Sequence, residues 1–176
     1  GLTLIVIISI FGPISGAHFN PIVSLVFWLK RMMSFKDFIA YVVMQISGAI
    51  FGCVVANIIF KLPPVTISTL VRHDFSQFLS EILATFGLIL VIFIGSEVSK
   101  QNIPVLVGSY IASAYWFTSS TSFANPAVTV ARQFSDTFTG ISPSGVPTFI
   151  IAQIFGAILG FIVIQWLTNT VIESDY

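Results

Sequence analysis

Long apolar stretches alternate with short polar breaks along the whole chain. Three of these stretches, at 37–60, 75–95 and 148–168, are long enough to cross a membrane as helices, which takes about 20 residues. Two further apolar stretches, at 2–14 and 103–118, are shorter. The pattern predicts an all-α membrane protein whose spans are joined by polar connectors.

The amino-acid composition supports the same class. Of the 176 residues, 56% are hydrophobic and 8% are charged, and the mean hydropathy is +0.99, whereas soluble domains carry roughly a quarter charged residues. Seven basic and seven acidic residues give a net charge of zero, so no basic surface is available for nucleic acid. We therefore expect the lipid bilayer as a partner and no nucleic acid.

Two short helical runs each begin with Asn-Pro, at Asn20-Pro21 and at Asn125-Pro126. Asparagine is a favoured N-cap, and proline at the first helical position loses no hydrogen bond there. Each run continues for about nine residues, which is too short to cross a membrane. The two motifs predict half-helices that begin inside the membrane.

An internal repeat relates the two halves of the chain. YVVMQISGAIFG at 41–52 matches FIIAQIFGAILG at 149–160 with an offset of 108, and the Asn-Pro pair repeats at 125 − 20 = 105. An odd number of crossings separates the copies, so they run in opposite directions, as in inverted-repeat membrane folds. We expect an inverted-repeat bundle whose two half-helices meet at the membrane midplane.

Buried half-helix ends predict a polar path through the membrane. Irregular backbone at that depth is tolerated only where it lines a cavity or is buried in protein. Two helix N-termini that face each other oppose cations, while the amides of Asn20 and Asn125 would donate to a passing oxygen. The carbonyls of 15–19 and 120–124 would accept. Such a lining favours a neutral hydroxylated solute over a cation or a proton.

The motifs together resemble one membrane family. SGAHFNP at 15–21, FANPA at 123–127, the repeated Gln-x-x-Gly-Ala and Glu81 within SEILATFGLIL resemble the bacterial aquaporin and aquaglyceroporin channels, which are major intrinsic proteins. The resemblance covers essentially the whole chain, residues 1–176, as one partial channel domain. It implies six spans and two half-helices, so that the first transmembrane helix and the start of the second precede Gly1.

The resemblance also implies the function. Family members are passive channels for water and small neutral solutes, form homotetramers with one pore per subunit, and need neither a cofactor nor a metal. No Ser/His/Asp, Cys/His or metal-ligand constellation points to an enzyme. We expect a multi-pass protein of the bacterial plasma membrane.

The resemblance assigns the pore motifs to two triplets, Asn20-Pro21-Ile22 and Asn125-Pro126-Ala127. Ile22 stands where the family usually has alanine, and we expect it to pack against protein rather than face the lumen.

The selectivity filter departs from the family pattern. The position three residues after the second Asn, usually arginine, is Val128. The matching filter positions are Ser113 and Ser122, and the fourth falls just before Gly1. A filter without arginine predicts a wider and less polar pore, open to glycerol, urea, metalloid hydroxides such as arsenous acid, and water.

Three ionisable side chains near the motifs are given structural roles. Arg132, seven residues after Asn125, is expected to be anchored to loop carbonyls or to Asp136. By the resemblance, Glu81 holds the loop of the second half-helix through backbone N–H groups, in preference to a proton relay. His18 is expected to brace its loop rather than carry protons or bind a metal.

Two other classes remain open on the sequence. A secondary transporter also uses inverted repeats and broken helices, and Glu81 and Arg132 would then be its candidates for ion coupling. A closed member of the fold with a structural or adhesion role is the second alternative.

Overall fold

The regular structure of the chain is helical. The computed structural model describes residues 1–174, with side chains up to Thr168. The helices of this part are α1 (Leu2–Ser15), α2 (Pro21–Leu29), α3 (Phe35–Ile59), α4 (Phe75–Ser99), α5 (Ile103–Phe117), α6 (Pro126–Arg132) and α7 (Val146–Ser174). A short 3₁₀ turn, Lys100–Asn102, joins α4 to α5. The predicted all-α class is confirmed.

Helix length separates the membrane-crossing helices from the half-helices. Helix α3, the continuous stretch Phe75–Phe117 and α7 are long and apolar enough to cross a membrane. Helices α2 and α6 have 9 and 7 residues, so that each rises by only about 10–14 Å. They begin at Pro21 and Pro126, where the Asn-Pro motifs predicted half-helices to begin.

The two half-helices lie between the two helices of the sequence repeat. Helix α6 packs mainly on α3 and also on α7, while α2 contacts both α3 and α7. The apolar core forms mainly where α4 and α7 pack together, around Leu88, Ile89 and Ala157, with Ile22 and Val26 of α2. The first half-helix is thus packed into the same core as α4 and α7.

Small residues let α7 approach α4 closely. A Cβ added at Gly156 would collide with the carbonyl oxygen of Ile82, and one at Gly160 would lie 2.9 Å from the Ile89 side chain. The equivalent glycines of α3, Gly48 and Gly52, have no such neighbour within 4 Å in the described chain. Only the second glycine pair of the repeat forms a tight helix contact here.

Substitution of the repeated glycines should separate these two environments. Gly156→Ala should destabilise the chain by about 1–3 kcal/mol, because the added methyl group forces α4 and α7 apart. Gly48→Ala, the matched control, should be neutral or slightly stabilising, since its methyl group meets open space. Thermal unfolding in detergent measures both, and equal losses of stability would contradict the packing described.

Candidate functional site

Two asparagines join the two half-helix loops. The Asn20 amide Nδ2 donates to the carbonyl oxygen of Ala124 at 2.7 Å, and the Asn125 amide Nδ2 donates to the carbonyl oxygen of Phe19 at 2.9 Å. The donors and acceptors lie more than 100 residues apart in sequence. The N-termini of α2 and α6 are therefore held against each other by a reciprocal pair of hydrogen bonds.

The same asparagines cap their own helices. Asn20 Oδ1 accepts from the Ile22 N–H at 3.0 Å, and Asn125 Oδ1 accepts from Ala127 and Val128 at 3.0 and 3.3 Å. Each amide group carries two N–H donors, and the opposite loop takes one of them. The second donor of each asparagine remains available to a solute.

The backbone before each asparagine takes the same unusual form. Ala17 and Phe19 have φ of 47°, and Ser122 and Ala124 have φ of 50° and 46°. These pairs are 105 residues apart, the offset of the Asn-Pro motifs. Left-handed backbone at residues other than glycine costs about 1–3 kcal/mol each and is concentrated at functional sites.

The carbonyls of these loops divide into occupied and open groups. Besides Phe19 and Ala124, Ser15 accepts from the Tyr41 hydroxyl at 2.6 Å and Ser120 accepts from Arg72 at 3.1 Å. No donor from the described residues reaches the carbonyls of 16–18 or 121–123. Three carbonyls in each loop thus lack a protein donor among the described residues, and residues 16–18 and 122–123 line the cavity described below.

Glu81 holds the second loop. Its carboxylate is fully buried and accepts from the backbone N–H groups of Phe123 and Ala124, both at 2.8 Å. Ser120 Oγ and Gln153 Nε2 donate to it at 2.6 and 2.7 Å. Both oxygens are occupied by protein donors, as suits a loop support and not a proton relay.

The repeated glutamines hold the half-helices. Gln45 Nε2 donates to Ser24 Oγ at 3.0 Å, and Gln153 Nε2 donates to Thr129 Oγ1 at 2.9 Å. Each hydroxyl stands four residues after the asparagine of its own motif. The sequence analysis identified the glutamines but not Ser24 and Thr129. Their common spacing of four residues after the motif asparagine was the signal that could have identified them.

His18 braces the first loop. Its Nδ1 lies 3.0 Å from Ser24 Oγ, and its ring packs on Phe27 and Tyr41 with centroids 4.2 and 5.3 Å away. No cluster of three or more metal-ligating side chains occurs in the described part of the chain. The geometry gives His18 a packing and hydrogen-bonding role.

A cavity of about 780 Å³ passes beside both loops. Its wall includes Asn20 and Asn125 and, from the other predicted site residues, His18, Ser122 and Val128. Ser122 Oγ is buried without a protein partner. The structure therefore brings both motifs and two of the predicted filter residues to one cavity.

The cavity also has lining residues beyond the two loops. It reaches from Lys100, just after α4 ends, to Arg132 at the end of α6. Along α4 the wall takes in Leu88, Ile92 and Ser96, all in the second half of that helix.

The remaining predicted site residues lie away from the cavity wall. Pro21, Ile22, Pro126 and Ala127 are buried in protein, and Ile22 belongs to the apolar core, as expected.

Ser113 is not among the residues that line this cavity. Its side chain is exposed, and its hydroxyl donates to the Ser109 carbonyl at 2.8 Å. Helix α5 faces the cavity through Ile103, Val107 and Ile111. Ser113 follows Ile111 by two residues, which is a turn of about 200° around the helix axis. Its side chain therefore lies on the side of α5 away from the cavity.

The anchoring expected for Arg132 is made by Arg72 instead. Arg72 donates to the carbonyls of Gly140, Ser120 and Phe138 at 2.8, 3.1 and 2.7 Å. Burial lowers the pKa of this guanidinium from its ordinary value, and the charge of Glu81 opposes that shift.

Asp136 and Arg132 have other neighbours. Asp136 accepts from Thr69. Arg132 Cζ lies 4.3 Å from the centroid of the Phe123 ring, and Arg132 Nη1 is buried without a hydrogen-bond partner. Arg132 is therefore a cavity residue and not a loop anchor.

The chain matches known proteins over most of its length. Residues 1–118 match the family model "Major intrinsic protein". The chain is 49% identical to aquaglyceroporin AqpS of Rhizobium meliloti over 167 residues, which covers 95% of this chain and 72% of AqpS. The chain belongs to the major intrinsic protein family. Members of this family are membrane channels for water and small solutes and are not enzymes.

More distant members of the family match as well. The chain is 27% identical to aquaporin NIP1-1 of Arabidopsis thaliana, covering 99% of this chain and 61% of the relative. It is 28% identical to human aquaporin-4, covering 89% of this chain and 46% of the relative. The resemblance to aquaporins and aquaglyceroporins seen in the motifs is confirmed.

Glu81→Gln should weaken the site severely. An amide nitrogen in place of Oε1 would face the Phe123 N–H, and one in place of Oε2 would face the N–H groups of Ala124 and Gln153. At least one of the four hydrogen bonds is therefore replaced by two opposed donors in a buried place, and the bonds that remain lose the carboxylate charge. We expect a loss of at least about 3 kcal/mol in the free energy of unfolding, together with loss of transport. Thermal unfolding in detergent and flux in liposomes measure the two effects.

The matched control is Glu97→Gln, at an exposed position near the end of α4. It should leave both properties unchanged. A Glu81→Gln protein as stable and as active as the parent would contradict the loop-holding role.

Proposed function

We propose that the protein is a passive channel for water and small neutral hydroxylated solutes, including glycerol, urea and metalloid hydroxides such as arsenous acid. One observation carries this proposal: the cavity of about 780 Å³ passes both motif asparagines and has no carboxylate among its lining residues. Its ionisable lining residues are His18, Lys100 and Arg132. Amide donors and free carbonyls suit neutral oxygen-bearing solutes.

The absence of carboxylates also bears on the transporter alternative. Proton or cation coupling needs an acidic group that a solute path can reach. Glu81 is buried and bonded on both oxygens, and it is not part of the cavity wall. Passive permeation needs no such group.

Val128 supports the inclusion of solutes larger than water. It is half-buried on the cavity wall, three residues after Asn125. A valine there supplies neither a fixed cation nor a long side chain, so the path at this level is wider and less polar than with arginine. We therefore propose an arginine-less filter formed in part by Val128 and Ser122.

The membrane and the assembly are proposals of the same kind. The relative AqpS is a bacterial protein, and we place this chain in a bacterial plasma membrane. We also propose a homotetramer with one pore in each subunit, as the family resemblance implies.

Stopped-flow swelling of liposomes that contain the protein tests the function. Water, glycerol, urea and arsenous acid gradients should each produce flux well above that of empty liposomes, without dependence on a proton gradient. Neutral-solute flux that needs a proton gradient would favour a transporter. Flux no faster than in empty liposomes would favour a closed member of the fold.

Val128→Arg tests the filter. The long cationic side chain should fill the path, so we expect glycerol and arsenous acid flux to fall much more than water flux. Val128→Thr, which keeps the shape of valine, should conduct all three like the parent. Equal loss of every flux in Val128→Arg would reject the assignment of Val128 to a size-selective filter.

A further inference from the structure

We infer that Arg132 is a specificity-determining residue of the path, which supplies a fixed positive charge and a free N–H donor one helical turn away from Val128. The inference rests on the proposed channel function. It assigns cation exclusion and solute contact to a side chain outside the family's filter position.

Helix geometry places Arg132 on the solute path. Val128 and Arg132 are four residues apart on α6, and residues at this spacing share one face of a helix. Both belong to the cavity wall. The level of Arg132 is therefore shifted along the path by about 6 Å from that of Val128.

The guanidinium is held in place without using all its donors. Arg132 Cζ lies 4.3 Å from the Phe123 ring centroid, and this ring is buried against Phe149 and Ile141. Stacking on an aromatic face orients a guanidinium without occupying its N–H groups. Arg132 Nη1 is buried and has no hydrogen-bond partner. A buried cationic donor without a partner is suited to bind the oxygen of a passing solute.

The neighbouring charges leave this end of the cavity positive. Arg72 Cζ lies 5.3 Å from the same ring centroid, so two guanidinium groups share one aromatic ring. The nearest buried carboxylate, Glu81, makes its hydrogen bonds to Ser120, Phe123, Ala124 and Gln153. Asp136 is exposed and bonded to Thr69. A cation that enters here meets Arg132 before it reaches Val128.

The arrangement places the positive charge and the widened part of the path at different levels along α6. At the family's position, an arginine would narrow the path and repel cations at one level. Here valine leaves that level open, and the cation stands one turn away, where it lies against Phe123 instead of projecting across the path. A neutral polyol or a metalloid hydroxide can accept a hydrogen bond from Arg132, while a metal cation is repelled.

Rubidium uptake and glycerol swelling of proteoliposomes test the inference together. Arg132→Gln should raise rubidium uptake by at least about tenfold, since it removes a unit charge from a partly desolvated path. Glycerol flux should persist. Arg132→Lys keeps the charge and should exclude rubidium as the parent does. Lys36→Gln, an exposed cation on α3 away from the cavity, is the matched control and should behave like the parent.

Two outcomes would overturn the inference. One is an Arg132→Gln protein that conducts glycerol and still excludes rubidium; the other is an Arg132→Lys protein that leaks as much as Arg132→Gln. Arg132→Met fills the same apolar space over Phe123 and serves as a second uncharged variant if the glutamine variant does not fold. Failure of the proposed function looks different, because the parent protein would then show no glycerol flux above that of empty liposomes.

Discussion

The reciprocal hydrogen bonds between Asn20 and the Ala124 carbonyl, and between Asn125 and the Phe19 carbonyl, hold the two halves of the molecule at one level. Each asparagine bridges its own helix and the opposite loop, so neither half-helix is fixed without the other. Half-helix ends inside a membrane carry N–H groups that hydrocarbon cannot hydrogen-bond. The side-chain oxygens of the two asparagines accept hydrogen bonds from some of these groups. The remaining amide donors and the open carbonyls of both loops are what a solute meets on its way through.

The support around this joint is repeated but not symmetrical. Both halves share the left-handed backbone before asparagine and a glutamine bonded to the hydroxyl four residues after it. Among the described residues, only the second loop is also held by a buried carboxylate. Its backbone N–H groups at Phe123 and Ala124 donate to the two oxygens of Glu81. The first loop is braced by His18 against Ser24 and aromatic rings. The same left-handed loop geometry is thus held by a buried carboxylate in the second half, and by a histidine hydrogen bond and aromatic packing in the first.

The features that sequence could predict are those with a local or repeated cause. Asn followed by Pro determines where α2 and α6 begin, and the repeated Gln-x-x-Gly-Ala marks α3 and α7. The orientation of α5 has no such cause. It depends on α1, whose N-cap residue Gly1 packs so closely on α5 that a Cβ at Gly1 would lie 2.7 Å from the Gly108 carbonyl oxygen. The spacing of Ser113 from Asn125 therefore does not by itself determine which face of α5 carries this side chain. The partner of Arg132 was equally hidden, because Arg72, distant in sequence, occupies the loop carbonyls and leaves Arg132 to the Phe123 ring.

A pore that admits solutes larger than water must still reject cations, and the two demands conflict when one arginine meets both. Coulomb repulsion acts over several ångströms in a partly desolvated path, whereas steric exclusion acts only at contact. A charge can therefore move one helical turn along the wall and keep much of its effect on ions, while its bulk no longer narrows the original level. In this chain the cavity wall holds Arg132 at the end of α6 and Val128 one helical turn nearer to Asn125. Width at Val128 and charge at Arg132 are consequently compatible properties of a single path.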